Sequence, residues 1–178
     1  MMEPGIMSKL QWDRRSDDVV SPDPQVPTID RRASAATHRG DFFLWANEQA
    51  LALSEGRWDA LDVANLVDEV HDLGRSQKRE ISSRTTVLLQ HLLKWKFQPK
   101  GRSSSWRGTI REQRRALNEE LDDSPSLRPY ALEQISKTYD IARDKAAGET
   151  ELNPDIFPDA CPFTMDELLD DSFYPEET

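Results

Sequence analysis

The chain has 178 residues, 37% hydrophobic and 31% charged, with a formal net charge of −10. One cysteine excludes a disulfide scaffold or a cysteine-based zinc module, and the acidic balance argues against a generic nucleic-acid coat. No run of 18 apolar residues predicts a membrane span, and residues 1–10 lack the apolar core of a secretory signal, so a cytoplasmic protein is expected.

Residues 1–40 carry Pro4, Pro22, Pro24 and Pro27, paired charges and almost no apolar periodicity. Such a segment buries too little apolar surface to offset its ordering entropy, and a disordered arm is predicted. A single helical domain is expected over 41–178. Asp41 is placed to cap a first helix with Phe42, Trp45, Ala46, Gln49 and Leu53 at helical spacing, ended by Gly56. Asp59 is the expected cap of a second helix, with Val63, Leu66, Val70 and Leu73 on its apolar face and Gly74 as its stop.

A third helix is predicted over 75–97, ended by Pro99. Val87, Leu88, Leu89, Leu92, Leu93 and Trp95 cover nearly every direction around it, which marks a central, buried helix. Residues 98–104 read as a loop. Ser104 or Ser105 is the expected cap of a fourth helix reaching about Leu121, with Trp106, Ile110, Leu117 and Leu121 in its stripe. A fifth helix is predicted from about Pro129, with Leu132, Ile135, Tyr139, Ala142 and Ala146 in line and Gly148 at its end. Residues 149–163 read as an extended wrap. Thr164 and Glu167 form a capping-box pair for a last short helix. No segment alternates with period two, so the fold class is all-α: a compact bundle of about five main helices plus a short C-terminal one.

Charge is blocked along the chain. Residues 1–73 hold 7 Lys and Arg against 14 Asp and Glu, residues 74–115 hold 12 against 2, and residues 116–178 hold 4 against 17. A basic block between acidic ones is either neutralised within the fold or forms an anion-binding surface; neutralisation is the favoured reading.

Several polar residues fall on faces that should be buried. Asp62, Asn65, Glu69 and Asp72 form one stripe of the second helix; Arg84, His91 and Lys94 form one on the third. On the fourth, Gln113 lies in the core stripe with Arg107, Arg111 and Arg114 at its edge. Burying such groups unpaired costs several kcal/mol, so the acidic stripe is expected to meet the basic one. The functional reading puts Glu69 and His91 in acid–base roles, with Lys94, Trp106, Arg114 and Arg75 lining a polar cleft. The structural alternative is a paired cluster that sets helix register. No metal site or cofactor is expected: His71 and His91 lie on different predicted helices, and no HExxH, P-loop or GxSxG is present. Cys161 reads as a small buried side chain, and Trp95 and Trp106 as core aromatics rather than base-stacking platforms.

The runs DFFLWANEQALAL, LVDEVHDLGRS, LLQHLLKWKFQPK, SSSWRGTIREQRR, DSPSL and FPDACPFTMDELLDDSFYP resemble a family known as domain of unknown function twenty-nine. The likeness covers residues 41–175. It implies an all-helical bacterial protein with a polar cleft, and no activity. The family's motif residues fall here on Asp62, Glu69, Gly74, Arg75, His91, Lys94, Trp106, Gln113 and Arg114. His71 stands where many relatives carry glutamate, which weakens any scheme needing two carboxylates on that helix.

Three functions follow. A binding or interaction module, taking a protein, an anionic ligand or nucleic acid on the basic block, is slightly favoured. A small hydrolase-like enzyme using Glu69 and His91 is the second, and a structural bundle with a register-setting polar cluster the third. A nucleic-acid surface would show Lys100, Arg102, Arg107 and Arg111 on one exposed face.

Overall fold

A computed structural model describes residues 38–176. The disordered arm expected over 1–40 therefore lies outside the described residues, except for 38–40, which are helical. The described residues are all helix, turn and loop, with no strand. The chain divides into two compact units, Met1–Asp62 and Val63–Thr178, a division inside the single domain expected over 41–178.

In the first unit, α1 spans Phe42–Ser54. The Asp41 carboxylate accepts from the Leu44 N–H at 3.0 Å, as the cap prediction requires. Trp45, Gln49 and Ala52 are buried, and the His38 ring packs edge-on to Trp45 at 4.5 Å. Gly56 ends the helix by adopting φ +67°. Its N–H reaches the Leu53 carbonyl and that of Arg57 reaches Ala52, the paired bonds of a left-handed helix stop. Asp59 caps nothing; it sits inside a 3-10 turn, Trp58–Ala60.

The second unit is built on α2, Val63–Phe97, a continuous helix of 35 residues and about 52 Å. Gly74 does not stop it. A lone helical glycine costs only about 1 kcal/mol, and Arg75, Ser76, Gln77 and Lys78 after it offer neither proline nor a competing turn. The predicted second and third helices are thus one. Its first turns carry Val63, Val70 and Leu73 of that face at 58%, 63% and 69% exposure, with Leu66 half-buried, so the apolar face read there is not core. Further along, Gln77 donates to Ser124 Oγ, and Lys78 lies 5.3 Å over the Tyr130 ring. Beyond them Ile81, Leu88, Leu89, Leu92 and Leu93 are fully buried, as a central helix requires.

α3 spans Ser104–Asp123 and α4 spans Arg128–Thr150. The α3 cap is Ser103, one residue before the predicted serines; its hydroxyl accepts from the Trp106 N–H. Both helices pack along α2, bringing Ile110, Leu117 and Leu121 of α3 and Ala131, Ile135, Tyr139, Ala142 and Ala146 of α4 into one core. Leu132 stays exposed; Ala131 takes its place in the stripe. Gly148 lies inside α4, which ends only where Glu151 turns left-handed at φ 56°. The tail then wraps the bundle. Phe157 meets Phe97 edge-on at 5.2 Å, and the Tyr139 hydroxyl donates to the Pro158 carbonyl at 2.7 Å. α5, Met165–Leu169, starts with the predicted Thr164–Glu167 capping box and buries Leu168. No helix among the described residues is long and apolar enough to cross a membrane.

Candidate functional site

The fold distributes the residues of the expected cleft over separate places. Glu69 and His91 lie twenty-two residues apart on one helix, about 33 Å along its axis, so they do not share an acid–base site. For the same reason the stripe of Asn65, Glu69 and Asp72 cannot pack against Arg84, His91 and Lys94. Arg75 is exposed and ion-paired to Asp72. Gln113 accepts from Arg84 Nη1 at 3.3 Å, and Arg84 also pairs with Glu80.

His91, Lys94 and Trp106 do come together. Lys94 is only 4% exposed, and its ammonium bonds to Glu149 of α4 while standing 4.4 Å over the Trp106 ring. The carboxylate and the aromatic face compensate a cation that burial alone would penalise. The Lys94 hydrogen bond, with Lys94's charge, holds the Glu149 carboxyl below the usual range. Glu149 was not among the candidate residues. Its only sequence signal is its place between Ala146 and Thr150, at the exposed edge of the buried face of α4, where it can reach a lysine that needs a counter-charge. The neighbouring turn fits tightly: a Cβ on Gly101 would stand 2.8 Å from both Gln98 Oε1 and Trp106 Cη2.

His91 Nδ1 lies 2.9 Å from the Val87 carbonyl. That oxygen only accepts, so the neutral ring carries its proton on Nδ1 and keeps the Nε2 lone pair. Burial lowers the His91 pKa most, aided by Lys94 and opposed by the Val87 bond and Glu149. The unfolded chain therefore takes up this proton at higher pH than the native protein. The His91 contribution is complete above about pH 6.5 and is lost as pH falls below that through the native value. Urea melts at about pH 7.5 and about pH 5.5 should show an acid loss of stability that His91→Gln reduces. An equal loss in the variant would contradict the assignment.

Arg114 belongs elsewhere. It is 0% exposed, donates from Nε to the Leu168 carbonyl at 2.9 Å and from Nη2 to the Glu167 carbonyl at 3.3 Å. Asn118 donates to the Leu169 carbonyl at 3.1 Å. Two α3 side chains thus satisfy the last carbonyls of α5, which have no acceptor role left inside so short a helix. The Arg114 guanidinium also lies 5.4 Å from the Tyr174 ring, so Arg114 anchors the tail rather than lining a cleft. Cys161 is half-buried, and burial pushes its thiol pKa up, consistent with an inert side chain.

The exposed chemistry gathers on α3. A groove of about 600 Å³ is lined by Trp95, Arg102, Ser103, Ser104, Arg107 and Arg111. It adjoins a second of about 800 Å³ that shares Arg107 and Arg111 and adds Glu112, Arg115, Asp171 and Tyr174. Gly108 lines both, and no atom stands within 4 Å of where its Cβ would be, so the groove stays open there. Arg107, Arg111 and Arg115 recur every fourth residue and so share one face. The Arg107 guanidinium lies 5.5 Å from the Trp95 ring and 5.8 Å from the Tyr174 ring. Lys100 is exposed but does not line the groove.

Internal neutralisation accounts for part of the basic block, through Arg75–Asp72, Arg84–Glu80, Lys94–Glu149 and Arg115–Glu119. Among the described residues Arg107 and Arg111 form no ion pair, although both are exposed. Trp95 is 7% exposed and holds an arginine, so it is core and support rather than a platform for bases. No group of three or more metal-ligating side chains is found among the described residues.

No curated protein and no solved structure matches the chain. A family model described as domain of unknown function DUF29 matches residues 37–174, which takes in α1 to α5 and both the Lys94 cluster and the arginine groove, and the chain belongs to that family.

Proposed function

We propose that the chain is an interaction module that captures an anionic partner in the α3 groove. The carrying observation is the pair Arg107 and Arg111, exposed, without ion-pair partners among the described residues, and set in an open groove. Guanidinium groups fixed in this way gain charge-assisted hydrogen bonds from a ligand without first breaking internal ones. The aromatic support under Arg107 reduces the side-chain freedom that binding would otherwise remove. A hydrolase built on Glu69 and His91 lacks its geometry, since the two are on one rod far apart.

The test is fluorescence anisotropy with labelled anionic probes: a glutamate-rich peptide, a phosphorylated peptide and a single-stranded oligonucleotide. At least one should bind, more weakly as salt rises. The double variant Arg107→Ala/Arg111→Ala should lose about tenfold or more of that affinity while keeping the wild-type circular dichroism. Binding that survives the double substitution, or no binding by any probe at low salt, would refute the reading.

A further inference from the structure

We infer that the groove is selective for a phosphomonoester, a single dianionic phosphate carried on a peptide or a small molecule. This rests on the anion-binding reading above and narrows its ligand. The first argument is charge matching. Arg107 and Arg111 present two cations without ion-pair partners among the described residues. A phosphomonoester carries about −1.5 to −2 at neutral pH and offers three acceptor oxygens, whereas a carboxylate carries one charge and two. One phosphate can neutralise both arginines; one carboxylate leaves a cation uncompensated.

The second argument is the donor type. Every basic residue of the two adjoining depressions is arginine: Arg102, Arg107, Arg111 and Arg115. A planar guanidinium binds phosphate through a two-pronged fork, while a lysine acts as a point charge. Arg107 and Arg111 stand one turn apart, a rise of about 6 Å, close enough for their long side chains to converge on one tetrahedral group. The α3 N-terminus, with Ser103 and Ser104, opens on the same depression, and its dipole adds to the positive field.

The third argument is length. Glu112 and Asp171 line the far depression with Arg115, itself paired to Glu119. A long polyanion running along the arginine row would pass these carboxylates and approach a chain of net charge −10. A ligand with one compact anionic group avoids both repulsions. This disfavours an extended nucleic acid.

The deciding experiment uses the full chain and a labelled peptide with neutral flanks carrying phosphoserine, alongside its serine and glutamate forms. Adenosine monophosphate and a single-stranded oligonucleotide serve as unlabelled competitors. The phosphoserine peptide or the mononucleotide should bind at least about tenfold tighter than the glutamate peptide, and more weakly near pH 5.5 than near pH 7.5, as the phosphate loses its second charge near pH 6. Which of the two binds identifies the source of the phosphate. Arg107→Lys and Arg111→Lys keep the charge and should each lose about tenfold, because the fork is gone. Two variants are used because Arg107 also packs on aromatic rings; Arg111 does not share that role. Equal affinity for glutamate and phosphate, unaltered binding in both lysine variants, or an oligonucleotide displacing the peptide in proportion to its length would overturn the phosphomonoester assignment while leaving the anion-binding reading intact. Failure of every anion to bind would overturn both.

Discussion

Truncating Leu88 or Leu92 to alanine is expected to cost about 2–5 kcal/mol of stability, measured by urea denaturation. Both side chains are 0% exposed at the centre of the second unit, between α3 and α4. The loss combines the transfer free energy of the deleted carbons with the cavity left among neighbours that relax only partly. Leu73→Ala on the same helix is the control. Leu73 is 69% exposed, so its replacement should stay within about 0.5 kcal/mol of wild type. Comparable losses at Leu73 and Leu92 would mean that the first turns of α2 are buried in solution and that the core extends along the whole helix. Melts should be followed by a signal from the second unit, because two compact units need not unfold as one.

The contrast between those leucines shows where the sequence is readable. Elements ended by strong chemistry were legible: the Asp41 cap, the positive-φ Gly56, Pro99 after α2, and the Thr164–Glu167 box. Boundaries resting on a lone glycine divided: Gly56 ends its helix, and two others do not. Gly74 and Gly148 both lie inside helices, since the small intrinsic penalty of glycine is outweighed by residues on both sides that continue the helix. That single error at Gly74 carried the site error with it. Two short helices could fold back and place Glu69 near His91; one rod cannot. The requirement that Lys94 and Arg114 find partners was correct, but periodicity does not say which element supplies them. Glu149 and the carbonyls of α5 come from segments 55 and about 54 residues away, and only tertiary packing reveals them. Arg107 and Arg111 were visible as part of a charged stripe, which took in the buried Arg114 in place of Arg115. Their lack of ion pairs was not, because that depends on where every acidic side chain ends up.

Replacing Arg114 is expected to have an effect of the same size as a core truncation, by a different route. Arg114→Ala removes the donors to Glu167 and Leu168 and leaves those carbonyls facing a cavity, a loss of about 1–3 kcal/mol for each unsatisfied buried acceptor with the cavity term added. Arg114→Met restores much of the volume but no donor, so it should recover only the packing part of the loss. Arg114→Lys restores one donor head in place of the fork and should fall between the Met variant and wild type. The effect should also be local. The guanidinium stands 5.9 Å from the Phe173 ring and 5.4 Å from the Tyr174 ring, beside the segment that forms one wall of the arginine groove. Hydrogen exchange in the Met variant should therefore rise first over residues 165–174, while the amides of α2 around Leu88 keep their protection. Affinity for anionic probes should fall as well, although Arg114 itself is 0% exposed and does not line the groove. Loss of tail protection with unchanged anion affinity would show that Tyr174 is dispensable to the groove. Uniform loss of protection throughout the second unit would show that Arg114 supports the whole bundle rather than its tail.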